Sequence, residues 1–220
     1  VLTQLLKLPL QLAESALLVF GVRIGTEEPP HTSRDLGDGV QIRTYEARVA
    51  AETTVSDSEE GARNAGFRRL AGYIFGANHG ASKIAMTAPV AQQKPDGTRI
   101  AMTAPVAQTA AGGGDEWVIR FYLPSGRTIS EFPAPDDDRV RLVDVPPETV
   151  AVLKFTGDRD PQAVAERTEQ LQNTLRAYGF NATGDVTAWF YDPPWTLPFL
   201  RRNEVAIPVS ADSPGSPPTV

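Results

Sequence analysis

Two histidines, His31 and His79, and two methionines, Met86 and Met102, are the only imidazole and thioether groups in this chain of 220 residues, and cysteine is absent. That inventory limits the chemistry. Disulfides, thiolate metal sites, iron–sulfur clusters and thiol nucleophiles are excluded. A zinc centre of four histidines cannot be built from two. Ser82 lies near His79, but nothing around it resembles a nucleophile elbow. Asp136–Asp138, in "PDDDR", lacks the ligand spacing of a calcium loop and reads as a solvated acidic turn. "AAGGGDE" is not followed by Lys-Ser/Thr or a helix start, so it is a connector and not a phosphate cradle.

The net charge of −6 and pI near 5.0 argue against nucleic acid as a partner, because phosphate binding needs a basic surface. Apolar residues at 41% and charged residues at 22% match a globular domain. Residues 1–25 are leucine-rich, but Lys7, Pro9, Gln11, Glu14 and Arg23 interrupt them, so a membrane span is not expected. An amphipathic helix docking on the domain is expected there, with peripheral membrane contact through residues 1–20 as the second choice. The Ser/Pro-rich tail from Ser210 is expected to be disordered. The expected division is therefore residues 1–30 as helix and linker, 31–209 as the core domain and 210–220 as tail. The compartment is expected to be cytoplasmic or periplasmic.

The nonapeptide "IAMTAPVAQ" occurs at residues 84–92 and again at 100–108, separated by "QKPDGTR". The Pro-Asp-Gly turn chemistry predicts an antiparallel hairpin pairing Met86 with Val106 and Val90 with Met102. Its apolar face carries Ile84, Met86, Ala88 and Val90 with their twins, either as core or as the wall of a ligand pocket. Pro89 and Pro105 cannot donate ladder hydrogen bonds and must fall at an edge or a bulge.

The elements that position these residues read as two similar halves. "VQIRTYEARVAAETTV" and "VRLVDVPPETVAVLKF" each predict two short strands around a turn, and each is followed by a helix. The first helix opens at "SDSEE", where Ser56 and Glu59 fit a capping box, and Phe67, Leu70, Ala71 and Ile74 keep helical spacing. Gly61, Gly66 and Gly72 weaken it by about 1 kcal/mol each relative to alanine. The second opens with Asp160 as cap and Pro161 at its first position, and turns Val164, Thr168, Leu171, Leu175 and Tyr178 inward. Strands follow each helix: the nonapeptides and "EWVIRFYLP", then "VTAWFYD" and "NEVAIPV". The predicted class is α+β, a pseudo-duplicated (ββαβ-type) twisted antiparallel, β-barrel-like sheet flanked by two main helices.

"GYIFGAN" with "KIAMTAPV" resembles the signature of the SOUL/haem-binding protein family. "FYLP", "FPAPDDDRV" and "YDPPW…RRNEV" are similar to that family's later landmarks, and "GVRIGTEEPP" and "VQIRTYE" to the upstream ones of its bacterial members. The resemblance spans residues 20–209. It implies haem b, or another porphyrin, bound at a hydrophobic site beside the first helix. By position it carries over to Asn64, Phe67 and Ala71 on that helix and to Trp195 and Thr196 before "RRNEV". Ile74 shares the helical face, and Met86 lies on the strand face next to it. Some family members carry a histidine after "VEIR"; Thr44 takes that position here, so ligation through it is lost. The candidate axial ligands are then His79 in "GANHGAS" and, as the alternative, His31 in "PPHTS". Arg68, Arg69, Arg201 and Arg202 are candidates for the propionates. The resemblance implies a carrier, buffer or sensor without turnover. The alternatives are a haem-dependent enzyme, oxidative or haem-degrading, and an effector- or lipid-binding module on the same scaffold.

Overall fold

The computed structural model describes residues 27–94, 116–192 and 196–210. The expected N-terminal helix, the second nonapeptide with its turn, the glycine-rich connector, Trp195 and the tail lie outside them. Nine strands and two helices are seen among the described residues. They are β1 (His31–Gly37), β2 (Val40–Tyr45), β3 (Arg48–Ser56), α1 (Glu59–Ile74), β4 (Val90–Gln93) and β5 (Glu116–Tyr122). After these come β6 (Arg141–Val145), β7 (Glu148–Phe155), α2 (Pro161–Ala177), β8 (Thr187–Phe190) and β9 (Asn203–Pro208).

All strands join one curled antiparallel sheet, in the order β1-β2-β7-β9-β8-β4-β5-β3-β6. Exchange β2 with β6, β3 with β7, β4 with β8 and β5 with β9, and the last eight strands of that order read the same backwards. The strand order is thus symmetric about its middle, with one twist that the sequence conceals. The two strands around each corner do not pair with each other. β2 pairs with β7 and β6 pairs with β3, so each half lends its first strand to the other. Pro146 and Pro147 have no N–H and cannot continue a ladder through their corner. At the crossing, Tyr45 lies opposite Glu148 and Arg48 opposite Val145. Arg48 clamps it, paired with Glu148 and held 4.2 Å above the Tyr45 ring and 4.4 Å above Tyr122.

No strand was predicted over β1; it is a strand paired with β2. The signal was Asp38-Gly39, both with positive φ (53° and 76°), the two-residue turn that suits a hairpin. The first nonapeptide is a strand only from Val90, because Pro89 interrupts the ladder before it. Val90 is flanked by Phe121 on one side and Phe190 on the other, so the expected pairing with Met102 is replaced by β5 and β8. The cap of α1 is Ser58, not Ser56, which still belongs to β3: Gly61 N–H donates to Ser58 Oγ at 3.2 Å. α2 begins as its sequence predicts, with Ala163 N–H donating to Asp160 Oδ1 at 2.8 Å.

Strand alternation divides the sheet into two faces. Both helices cover the same face. α2 rests on a core that includes Val40, Ile42, Ala151, Leu153, Val205 and Ile207. α1 rests on Val49, Ala51, Ile119 and Phe121. The opposite face carries Tyr45, Ala50, Tyr122, Val150, Trp189 and Ala206 and has no helix among the described residues.

That helix-free face also buries charge. The Glu204 carboxylate, fully buried, accepts from Arg43 at 2.8 and 3.1 Å, from Arg202 at 2.9 and 3.0 Å and from the Tyr191 hydroxyl at 2.7 Å. Burial alone would raise its pKa. Hydrogen bonding and charge from Arg43, then Arg202, outweigh that and hold it below the usual carboxylate value. A depressed carboxyl contributes stability that is present above the unfolded value of 4.5 and lost as pH falls through the folded one. Urea unfolding as a function of pH should therefore show stability falling below that value. Glu204→Gln, which leaves two guanidiniums facing an amide, should cost about 3 kcal/mol at neutral pH and flatten this acid limb. An unchanged acid limb would remove Glu204 from the account.

Candidate functional site

α1 docks on β3 and β5. Ala62, Gly66, Leu70, Tyr73 and Ile74 form its buried face. Gly66 explains a glycine in mid-helix: a Cβ there would lie 2.4 Å from Ile119 Cγ1, inside van der Waals contact. The close approach brings the flank of the helix down onto the sheet. Phe67 and Ala71 lie on that flank, half-buried, and the Phe67 ring meets Phe121 edge-on at 5.3 Å.

After α1 the chain doubles back. Asn78 Nδ2 donates to the Tyr73 and Ser82 carbonyls, both at 2.8 Å, and Ile84 N–H donates to Ile74 O at 2.9 Å. Ile84, Met86 and Val90 are thereby laid beside the helix. With Phe67, Ala71 and Trp117 they make a half-buried apolar stripe at the edge of the α1 core. Trp117 adds a polar handle, since its buried Nε1–H has no acceptor. The stripe is an open surface among the described residues, where a cleft is expected from the sequence.

Two arginines stand at the N-terminal end of the stripe. Arg63, one turn before Phe67, lies 4.6 Å over the Phe190 ring, and Arg159 lies 5.6 Å over the same ring. Their hydrogen bonds go to backbone carbonyls: Arg63 to Arg159 O and Arg159 to Asp192 O, each at 3.0 Å. Among the described residues neither forms an ion pair. Burial lowers the Arg159 pKa to about 10, and repulsion from Arg63 and Arg201 adds to it. Burial lowers Arg63 too, against the pull of Glu59, Glu60 and Asp160. Glu59 is itself pushed up by burial. The region is a desolvated cationic end to an apolar strip, and sequence reasoning missed both arginines. Their signal was slight: Arg159 directly precedes the Asp-Pro helix start, and Arg63 is spaced i, i+4 from Phe67.

The other sequence candidates fall as follows. Asn64 is exposed on α1, and Ile74 is buried in the core behind the stripe. Thr196 is buried, and its carbonyl accepts from Arg201 Nε at 2.8 Å; Trp195 lies outside the described residues. Arg202 is committed to Glu204 and Glu28, and Arg69 to Thr53. His79 lies on the helix side with a side chain 74% exposed, its Nε2 at 3.7 Å from Asp136 Oδ1. His31 packs at 4.9 Å against Tyr45, which faces away from both helices, so the sheet stands between it and the stripe. A cavity of about 530 Å³ lies on the outer surface of α2, lined by Asp38, Glu166, Glu169 and amides, the wrong chemistry for an apolar ring. No group of three or more acidic or histidine side chains suited to a metal ion occurs among the described residues.

The fold and this stripe define a two-helix, half-barrel protein with a half-buried apolar strip beside its first helix. Residues 26–208 match the SOUL heme-binding protein family. The chain is also 31% identical over 168 residues to mouse heme-binding protein 2, covering 75% of each. The chain belongs to the SOUL heme-binding family, which supports haem or tetrapyrrole binding. The same fold is seen in the crystal structure of the EcmrR C-terminal domain, at TM-score 0.54 and 11% identity over 82% of this chain and 98% of that one. It recurs in an uncharacterized conserved protein from Listeria innocua, at TM-score 0.55 and 12% identity over 78% of this chain and 92% of that one. At such identity only the fold is shared.

Gly66→Ala tests the docking of α1. Forcing a methyl against Ile119 should cost about 1–3 kcal/mol by chemical denaturation, despite alanine's higher helix propensity. Stabilisation instead would mean that the helix is not held this close.

Proposed function

We propose that the chain binds haem b, or a porphyrin of the same kind, on the α1 stripe as a carrier or buffer without turnover. The observation that carries this is a half-buried apolar strip that ends in two arginines without ion pairs. A porphyrin has the same polarity, an apolar disc with carboxylates along one edge. Phe67, Ala71, Ile84, Met86 and Val90 offer the disc contact surface and exclude water from it. Ala71, the smallest of these, lets a flat ring approach the helix. Arg63 and Arg159 meet the propionates with charge-assisted hydrogen bonds, which also relieve their mutual repulsion. Asn64 stands at the solvent edge of the face, and Thr196 and Trp195 are assigned to the site by the family resemblance. When bound, haem supplies the iron chemistry, and the chain supplies orientation and a dry wall.

His79 is the proposed axial ligand. Its Nε2 faces Asp136 Oδ1 at 3.7 Å, a carboxylate placed to orient the imidazole.

Hemin titration of the purified chain should give a saturable, red-shifted Soret band. Ala71→Trp, which fills the strip from a half-buried position, should weaken it about tenfold or more with unchanged far-UV circular dichroism. Arg159→Gln should weaken hemin several-fold but leave the affinity for its dimethyl ester unaltered. Equal hemin affinity in both variants and the parent would move the site elsewhere.

His79→Ala should shift the Soret maximum, and His31→Ala should not. Spectra unchanged by both substitutions would reject histidine ligation while leaving the apolar site in place.

A further inference from the structure

The helix-free face of the sheet holds a cavity of its own, of about 140 Å³. Gln93 of β4, Arg120 and Tyr122 of β5, Glu148 of β7, and Thr187 and Trp189 of β8 line it. It lies across the sheet from the α1 stripe, because adjacent residues of one strand face opposite ways. Phe121 meets Phe67, while Tyr122 belongs to the helix-free face. Phe190 lies under Arg63, while Trp189 turns to the cavity. At room for about ten waters, it is far too small for a porphyrin.

Its chemistry is one of unused donors. Trp189 is 2% exposed, and its Nε1–H has no acceptor among the described residues. A buried donor left without a partner costs about 1–3 kcal/mol, so such a group marks a place where something accepts. Tyr122 is 4% exposed as a residue, and its hydroxyl makes no hydrogen bond among the described residues. Gln93 Oε1 accepts from Thr187 Oγ1 at 2.8 Å, which leaves the Gln93 amide N–H groups available.

The acceptors are already occupied. Glu148 is paired with Arg48. The buried Glu52 carboxylate is shared by Arg120 and Arg141, two cations on one anion. Asp185 stands exposed at the rim, in solvent. Unpartnered donors thus gather beside the Arg120 guanidinium, between the flat surfaces of Trp189 and Tyr122.

We propose that this cavity is a second ligand site, for a small planar carboxylate of about benzoate's size. The carboxylate accepts from Trp189 Nε1–H and the Tyr122 hydroxyl beside the Arg120 guanidinium, and the planar body lies along the aromatic walls. The site is independent of haem binding.

The test is indole N–H resonances of the ¹⁵N-labelled full chain, which has three tryptophans, with Trp189→Phe identifying the Trp189 signal. Sodium benzoate should move that signal saturably, and benzylamine, the same ring with a cationic head, should not. Tyr122→Phe, which removes only an oxygen, should weaken benzoate about tenfold, the size of one hydrogen bond to a charged group. Ala71→Trp, across the sheet, should leave benzoate binding as it is. A Trp189 signal that benzoate does not move, or that benzylamine moves equally, overturns the proposal. So does a Tyr122→Phe variant with parental affinity. Loss of benzoate binding in Ala71→Trp would assign the ligand to the α1 stripe instead. Failure of hemin to bind, with benzoate still binding, would count against the tetrapyrrole proposal alone.

Discussion

The reciprocal loan of strands is the constraint on which the rest of the molecule depends. β2 hydrogen-bonds only to β1 and to β7 of the other half, and β6 only to β3 of the first. Neither half can therefore satisfy the edge of its own sheet, and neither can build its helix-covered core alone. The pairing is non-local by about a hundred residues, and its closing contact, Arg48 with Glu148, is |i−j| = 100. Contacts of that separation make a sheet slow to assemble and cooperative once assembled. The crossing also fixes which way Tyr45 faces, since a one-residue slip would send every side chain of β2 or β6 through the sheet.

From that frame follows a division of labour between faces. One face receives both helices and provides ordinary apolar packing. At its edge, the tight docking of α1 through Gly66 lifts Phe67 and Ala71 into a half-buried strip. The other face, with no helix to cover it, fills itself with aromatic rings and paired charges: Glu204 with Arg43 and Arg202, and Glu52 with Arg120 and Arg141. Buried carboxylates are tolerable there because each is met by more than one guanidinium. Two chemically different surfaces, one apolar and one rich in polar and aromatic groups, stand back to back across a single layer of strands.

Much of this was legible from residue patterns. Asp160-Pro161 marked the start of α2 to the residue, because a capping carboxylate and a proline act locally. "EWVIRFYLP" was recognised as a strand, and in the fold Trp117, Ile119 and Phe121 face α1 while Tyr122 faces the other way, because strand geometry has period two whatever the neighbours are. The α1 face was half legible. Phe67, Ala71 and Ile74 were recognised as one helical side, but which of them is shielded depends on what packs above, and Ile74 proved to be core. Arg63 and Arg159 went unnoticed because their meeting over Phe190 joins residues 96 apart in the chain. The nonapeptide repeat misled: identical letters suggested that the two copies pair, yet Val90 found its partners in β5 and β8.

The sequence by itself determined the class of fold, the two-half order of elements, the absence of thiol chemistry and the family to which the chain belongs. These rest on composition, short-range periodicity and local backbone chemistry, all written within a few residues. Only the tertiary structure decided that the halves exchange first strands, that His31 and the helix stripe stand on opposite sides of the sheet, and that arginines without ion pairs end the stripe. Those outcomes depend on which distant strand satisfies an open edge, a choice made by the whole sheet at once.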